Sequence, residues 1–219
     1  MRTYLIGGDA HNPDGGLSPA TKDFLSQEAD EHIFIGDLFN LLELGVEKYR
    51  FSPAITELTG WARKRNITIV AGNHDPYEML REITPLGVTV VRSLDVGPYH
   101  LVHGHQFGGY WKWLSGFSFV QKYAPSIFAG LAKRGIQLST PSVMATGKMG
   151  GSDVYVHTLG FIWAQAMAYS QEIGKWVIMG HTHWQGDFPS RMEWKLDRNT
   201  GVIDLGTITR QDKWLEVEI

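Results

Sequence analysis

Five short apolar runs in this sequence each end in carboxylate, amide or imidazole side chains, and nothing else in the chain constrains its fold as much. The clearest is Ile67-Thr-Ile-Val-Ala71, which runs into Gly72-Asn73-His74-Asp75. β-Branched residues followed by Gly-Asn read as a buried strand closing on a tight turn. Leu5-Ile6-Gly-Gly-Asp9-Ala-His11 and Ile33-Phe-Ile-Gly36-Asp37 come before it. Leu101-Val102-His103-Gly-His105 and Val177-Ile-Met-Gly180-His181-Thr-His183 come after. Ordinary turn capping explains any one of these ends, but not five in one chain.

Between the polar ends the pattern alternates strand and helix. Thr3 to Gly8 reads as a strand, residues 9–17 as a Gly/Pro/Asp-rich loop, and Ser18-Pro19 as the N-cap and first position of a helix reaching about Ala29. His32 to Gly36 is a second strand, and residues 38–47 form a mobile or helical connection. A helix from about Pro53 to Arg65 carries Ile55, Leu58, Trp61 and Ala62 at helical spacing. The third strand, 67–71, is followed by a helix from Pro76 to about Ile83. This order predicts an α/β fold with parallel pairing, whose functional loops gather at the carboxyl ends of the strands.

Strands are expected at 88–92 and 98–103. The stretch from Gln106 to about Met149, rich in Phe, Tyr and Trp, reads as a helical insertion capping the site. Ser152 to Ile173 is a long helix presenting Val156, Leu159, Trp163, Ala166, Met167 and Ser170 on one face. A strand at 175–179 delivers His181 and His183, and residues 190–219 read as β-hairpins with strands at 192–196, 202–208 and 214–219. The 219 residues are taken as a single domain with an insertion at about 106–150. His32, His100 and His157 lie outside the polar blocks and read as surface or helix histidines.

Composition removes several chemistries. With no cysteine there are no disulfides, zinc–thiolate sites, iron–sulfur clusters or cysteine nucleophiles. A net charge of −3 argues against a dedicated nucleic-acid binder. No signal-peptide pattern follows Met1, and no apolar run is long enough to span a membrane, so the expected location is cytoplasmic.

What remains is the ligand set of a first-row divalent metal: carboxylate, imidazole and amide oxygen without thiolate. Asp-x-His and His-x-His place both side chains on one side of an extended segment. The candidates are too many for one ion that keeps an open position. They suit two ions roughly 3.5–4 Å apart that activate water and clamp the oxygens of an in-line displacement at phosphorus. His103 and His105 both qualify on this reasoning.

Asp9-x-His11, Gly36-Asp37, Gly72-Asn73-His74-Asp75, His103-Gly and Gly180-His181-x-His183 together resemble the calcineurin-like metallophosphoesterases, in that family's order and over residues 7–183. The resemblance implies a four-layer α/β/β/α sandwich with a dinuclear centre, holding Mn²⁺ or alternatively Fe²⁺, Zn²⁺ or Ni²⁺. Asp9, His11 and His183 would hold the first metal, and Asp37 would bridge to a second held also by Asn73, His103 and His181. His74 would assist the leaving oxygen, and Asp75 would fix the tautomer of its imidazole. Within the family the likeness is greatest to the UDP-2,3-diacylglucosamine pyrophosphatases, which share an aromatic insertion between the His-Gly turn and the Gly-His-x-His block. That branch usually has Asp after His-Gly, where this chain has His105.

Asn40 and His105 are candidate substrate-phosphate contacts. The expected activity is hydrolysis of a phosphate ester or pyrophosphate bond, with a phosphorylated small molecule or nucleotide, lipid-linked or not, as substrate. The insertion, with Trp111-Lys112-Trp113, suits substrate capping or peripheral membrane contact, and also a plain core. The rival readings are a nuclease of the same family and a non-catalytic scaffold that keeps the fold.

Overall fold

The computed structural model describes residues 1–108, 152–182, 192–206, 208 and 214–219. The insertion beyond Gly108, together with His183, therefore lies outside the described residues.

Alternation along the strands sorts apolar side chains into three cores, and the cores define the layers. The first sheet has the order β10-β1-β2-β3-β4, built from β1 (Thr3–Gly7), β2 (Glu31–Ile35), β3 (Ile67–Val70), β4 (Val88–Val91) and β10 (Trp214–Glu218). β1 to β4 run parallel, and β10 lies antiparallel beside β1. The second sheet has the order β5-β6-β7-β9-β8, from β5 (Leu94–Val96), β6 (Tyr99–Leu101), β7 (Trp176–Met179), β8 (Met192–Lys195) and β9 (Gly201–Asp204). Within it β6, β7 and β9 are parallel, and the edge strands β5 and β8 are antiparallel.

Successive strand residues point to opposite faces. Leu5, Phe34 and Ile69 accordingly pack outward with Phe24, Leu25, Leu58 and Leu80 of the helices α1 (Pro19–Ser26), α4 (Pro53–Ala62) and α5 (Tyr77–Ile83). Their neighbours Ile6, Ile33, Ile35 and Val70 turn inward against Leu101, Ile178 and Ile203 of the second sheet. Val102, Val177, Met179 and Val202 face the far side, where Ile162 and Ala166 of α6 (Ser152–Ile173) cover them. Helices, sheet, sheet and helix make the expected four layers. No helix among the described residues is long and apolar enough to cross a membrane.

Several local expectations are met. Ser18 Oγ accepts from Thr21 N at 3.1 Å with Pro19 opening α1, and Ser52 Oγ accepts from Ile55 N at 3.3 Å ahead of α4. The 38–47 connection is two short helices, α2 (Leu41–Leu44) and α3 (Val46–Arg50), joined at Gly45.

Others are corrected. α1 stops at Ser26 and α4 at Ala62, each a turn or so earlier than the apolar spacing suggests. β5 is a separate strand, because a turn at Gly97 folds it back on β6. Of the hairpins expected over 190–219, the described residues show the one between β8 and β9: β10 crosses to the other sheet, burying Leu215 and Val217 between the layers. His32 is no surface histidine; it is buried on β2, its Nε2–H donating to the Gln27 carbonyl at 3.2 Å. His100 lies on β6, its Nδ1 2.6 Å from Asp95.

Candidate metal centre

The polar blocks leave the carboxyl ends of β1, β2, β3, β6 and β7, so parallel pairing alone brings them to one edge of the sandwich. After β1 the chain delivers Asp9 and His11, and after β2 it delivers Asp37. The backbones interlock there: Ala10 N and His11 N both donate to the Asp37 carbonyl, at 3.1 and 2.8 Å. His11 and Asp37 have φ of +44° and +49°, the described non-glycine residues with positive φ. Such conformations cost on the order of 1–3 kcal/mol each and persist where surrounding bonds over-determine them.

Asp75 supplies much of that determination. Its buried carboxylate accepts from Asp37 N (2.9 Å), Phe39 N (3.1 Å) and Gly72 N (2.9 Å). This corrects the expected role of Asp75 on the His74 imidazole: its oxygens clamp the backbone of the β2 and β3 turns. The residue facing His74 Nδ1 is Glu43 of α2, at 3.5 Å. His74 N in turn donates to Asp37 Oδ1 at 2.8 Å, and the His74 and His11 rings meet edge to face at 4.9 Å.

Asp37 Oδ2 is the focus of the cluster. It is buried and faces His103 Nε2 at 3.2 Å and His11 Nε2 at 3.9 Å. His103 Nε2 is also 2.9 Å from Asn73 Oδ1 and 3.2 Å from His181 Nδ1, and His103 Nδ1 is 3.3 Å from Asp9 Oδ1. Among the described residues, two three-residue groups have ligand atoms within 4.8 Å of one another: Asp9, His11 and Asp37, and Asp37, His103 and His181. They share Asp37, which is what a bridging carboxylate requires.

The charges agree with a cation-binding role. Burial pushes the Asp37 carboxyl up, but His103, His74 and His11 together hold it well below the usual carboxylate range. Burial likewise disfavours a charged His103, and Asp37 and Asp9 reverse that, holding it well above an ordinary imidazole. Burial and then His103 keep His105 neutral, lowered to about 3, and keep His181 well below its usual value. Burial lowers His74 too, and burial followed by Asp37 raises Asp75. The two carboxylates thus favour positive charge at this point, with neutral imidazoles beside it able to ligate. These residues fit a divalent metal pair.

Close packing leaves no room for a side chain at several glycines, among them Gly72, where a Cβ would run into Asp37, and Gly36 and Gly180. Gly36 has φ of +74°, and a Cβ there would run into the His103 ring. A Cβ on Gly180 would sit 2.8 Å from Asp9 Oδ1.

The structure therefore gathers Asp9, His11, Asp37, Asn73, His74, His103 and His181 in one cluster, and His183 falls outside the described residues. His105 does not continue the strand with His103. It opens a short 3₁₀ turn, with its ring 5.4 Å from that of His103 and 6.3 Å from that of His181. Asn40 turns its Oδ1 to His11 Nδ1 at 2.7 Å, which leaves His11 Nε2 toward Asp37. Sequence reasoning overlooked Glu43 and Asp204. Asp204 was legible as the lone charge in the apolar run Val202-Ile203-Asp204-Leu205. Glu43 carried no signal, since a glutamate on a short polar-faced helix is ordinary.

A sequence model described as Calcineurin-like phosphoesterase matches residues 2–185. No curated protein matches the chain. Among solved structures, a single-substitution variant of Vps29 from Entamoeba histolytica is similar at 15% identity, covering 99% of this chain and 86% of its own, with a TM-score of 0.42. A protein of unknown function from Aquifex aeolicus is similar at 14% identity, covering 98% and 95%, with a TM-score of 0.39.

Proposed function

The chain belongs to the calcineurin-like phosphoesterase family, and on that premise we propose that it hydrolyses a phosphodiester or pyrophosphate bond at a dinuclear metal centre. The observation that carries this reading is the pair of ligand groups sharing Asp37. Asp9, His11 and Asp37 would hold one ion, with His183 as its further ligand. Asp37, Asn73, His103 and His181 would hold the other, Mn²⁺ being the first choice. Bound there, the ions would supply the water activation and charge neutralisation that hydrolysis at phosphorus requires.

The chain's own residues do the rest. Asn40 accepts from His11 Nδ1 and so turns Nε2 toward Asp37. Asp75 holds the Asp37 and Asn73 turns in register through main-chain N–H groups. Water adds to phosphorus as the bond to the leaving oxygen breaks; His74 gives that oxygen a proton and is reprotonated by the one that the attacking water loses. Glu43 stands at the far nitrogen of the same ring. His105, whose ring lies beside those of His103 and His181, would contact the substrate phosphate.

For the substrate, the likeness of the His-Gly turn and its aromatic insertion to the UDP-2,3-diacylglucosamine pyrophosphatases supports a nucleotide-linked or lipid-linked pyrophosphate. Peripheral contact with a lipid surface goes with the lipid-linked form. A hydrolysis screen tests both levels. Mn²⁺ against EDTA would be run with p-nitrophenyl phosphate, bis-p-nitrophenyl phosphate, UDP-sugars and a short single-stranded DNA. Metal-dependent turnover, fastest on UDP-sugars and abolished in Asp37→Ala, is expected. Preference for DNA would replace the substrate assignment with the nuclease reading. No metal-dependent turnover on any of them would contradict the enzyme reading.

A further inference from the structure

The carboxylate of Asp204, at the end of β9, is buried and outside both ligand groups, yet two of the hydrogen bonds it accepts come from segments that carry or brace site residues. Its Oδ2 accepts from Thr182 Oγ1 at 2.6 Å and from Trp163 Nε1 of α6 at 2.8 Å, and its Oδ1 accepts from Gly206 N at 3.1 Å. Thr182 is the residue between the two histidines of the His-x-His block, and its N–H donates to the Gly180 carbonyl. Gly206 lies against Gly8, and two residues on, Ile208 N donates to the carbonyl of Asp9 at 3.1 Å. One side chain thus braces the turn carrying His181 and the segment pressed against Asp9, a member of each ligand group. Three donors converge on it, which a carboxylate can satisfy and an amide cannot, because an amide nitrogen would face another N–H or O–H.

We infer that Asp204 is a positioning residue of the metal centre, holding His181 in ligating orientation through the Thr182 hydroxyl. Trp163 donates to the same oxygen from α6, whereas the Thr182 hydroxyl is the donor that stands on the histidine turn. The inference rests on the metal-centre reading above. Outer partners of ligating histidines fix ring direction, and their removal weakens metal affinity rather than abolishing the fold.

The test is Mn²⁺ affinity of the full chain by competition with a fluorescent chelator, alongside the melting temperature without metal. Thr182→Val and Asp204→Asn are expected to weaken Mn²⁺ binding about 10–100-fold, with Thr182→Ser, which keeps the hydroxyl, within about threefold of the parent chain. Trp163→Phe removes a bond to the same oxygen, so it lowers the melting temperature about as much as Thr182→Val but leaves affinity within about threefold. Parent-like affinity in Thr182→Val would overturn the inference. So would equal weakening in Trp163→Phe, which would mean that any loosening around Asp204 acts alike. Failure of the parent chain to bind Mn²⁺ would instead bring down the metal-centre reading and this inference with it.

Discussion

The two sheets contribute to the centre in different ways. The first brings the carboxylates Asp9 and Asp37 with His11 and Asn73, and holds them through the main chain. Asp75 takes three backbone N–H groups, and the N–H of His74 takes Asp37 Oδ1. The second brings His103 and His181, held largely by side chains and carbonyls. His103 Nδ1 faces the Ile35 carbonyl at 2.9 Å, and the His181 turn hangs on Thr182 and Asp204. A main-chain clamp is part of the fold, so removing it costs stability and function together. A side-chain brace can be removed with the fold left standing. The carboxylates that set the field sit in the rigid half, and the imidazoles of His103 and His181 sit in the adjustable half.

That contrast can be broken by substitution, and the largest effect is expected at Asp75. An amide there leaves at least one buried backbone N–H facing an NH₂ group, at about 1–3 kcal/mol for each group left unsatisfied. In a chain of 219 residues, Asp75→Asn is expected to lower the melting temperature by about 5–10 °C, since each kcal/mol shifts it by roughly 2–4 °C. Metal affinity should fall along with it. Thr182→Val should cost less stability than Asp75→Asn. The reverse order in thermal melts would erase the distinction between the halves.

Gly36→Ala sits at the join of the halves, because its new methyl would push on the His103 ring from a backbone at φ of +74°. The left-handed conformation alone costs about 1–2 kcal/mol in an L-residue. Both stability by chemical denaturation and Mn²⁺ affinity should decline. Helix capping lies away from the site and sharpens the contrast from the other side. Ser18→Ala and Ser52→Ala should each cost about 1 kcal/mol in the same denaturation assay and leave metal affinity unchanged.

The smallest effect expected is the share of the pH dependence that His32 adds from the first sheet. Burial holds buried His32 below its ordinary value of 6.5, so the unfolded chain takes up a proton on acidification before the folded chain does. The stability is therefore fully present above about pH 6.5 and declines as pH falls below it, by at most about 1.4 kcal/mol per pH unit. Replacing His32 with Gln should flatten the slope of denaturation free energy between pH 7 and pH 5. An unchanged slope would place the acid sensitivity elsewhere.

The first half of the fold was legible because its strands are apolar runs rich in β-branched residues and α1 and α4 open on Ser-Pro caps, both local signals. The polar blocks were legible as well, since ligand chemistry needs particular residue types at the ends of particular strands. The second sheet was harder to read. β5 is three residues long, and β10 joins a partner more than 200 positions away, which no local pattern encodes. The misassigned role of Asp75 has a related cause. Its neighbour in the chain is His74, but its hydrogen bonds reach backbone groups of the β2 turn 36 and 38 residues away. Asn40 and Glu43 show the same limit: spacing put Asn40 near the site and gave no signal for Glu43, and only the packed connection shows that one faces His11 and the other His74.

The measurement that bears most directly on the account is metal stoichiometry, taken by elemental analysis of the purified chain after equilibration with Mn²⁺ and gel filtration. The shared carboxylate predicts about two ions per chain and loss of both in Asp37→Ala, because each ligand group includes that residue. One ion in the parent chain, or one retained in Asp37→Ala, would contradict a centre bridged by Asp37.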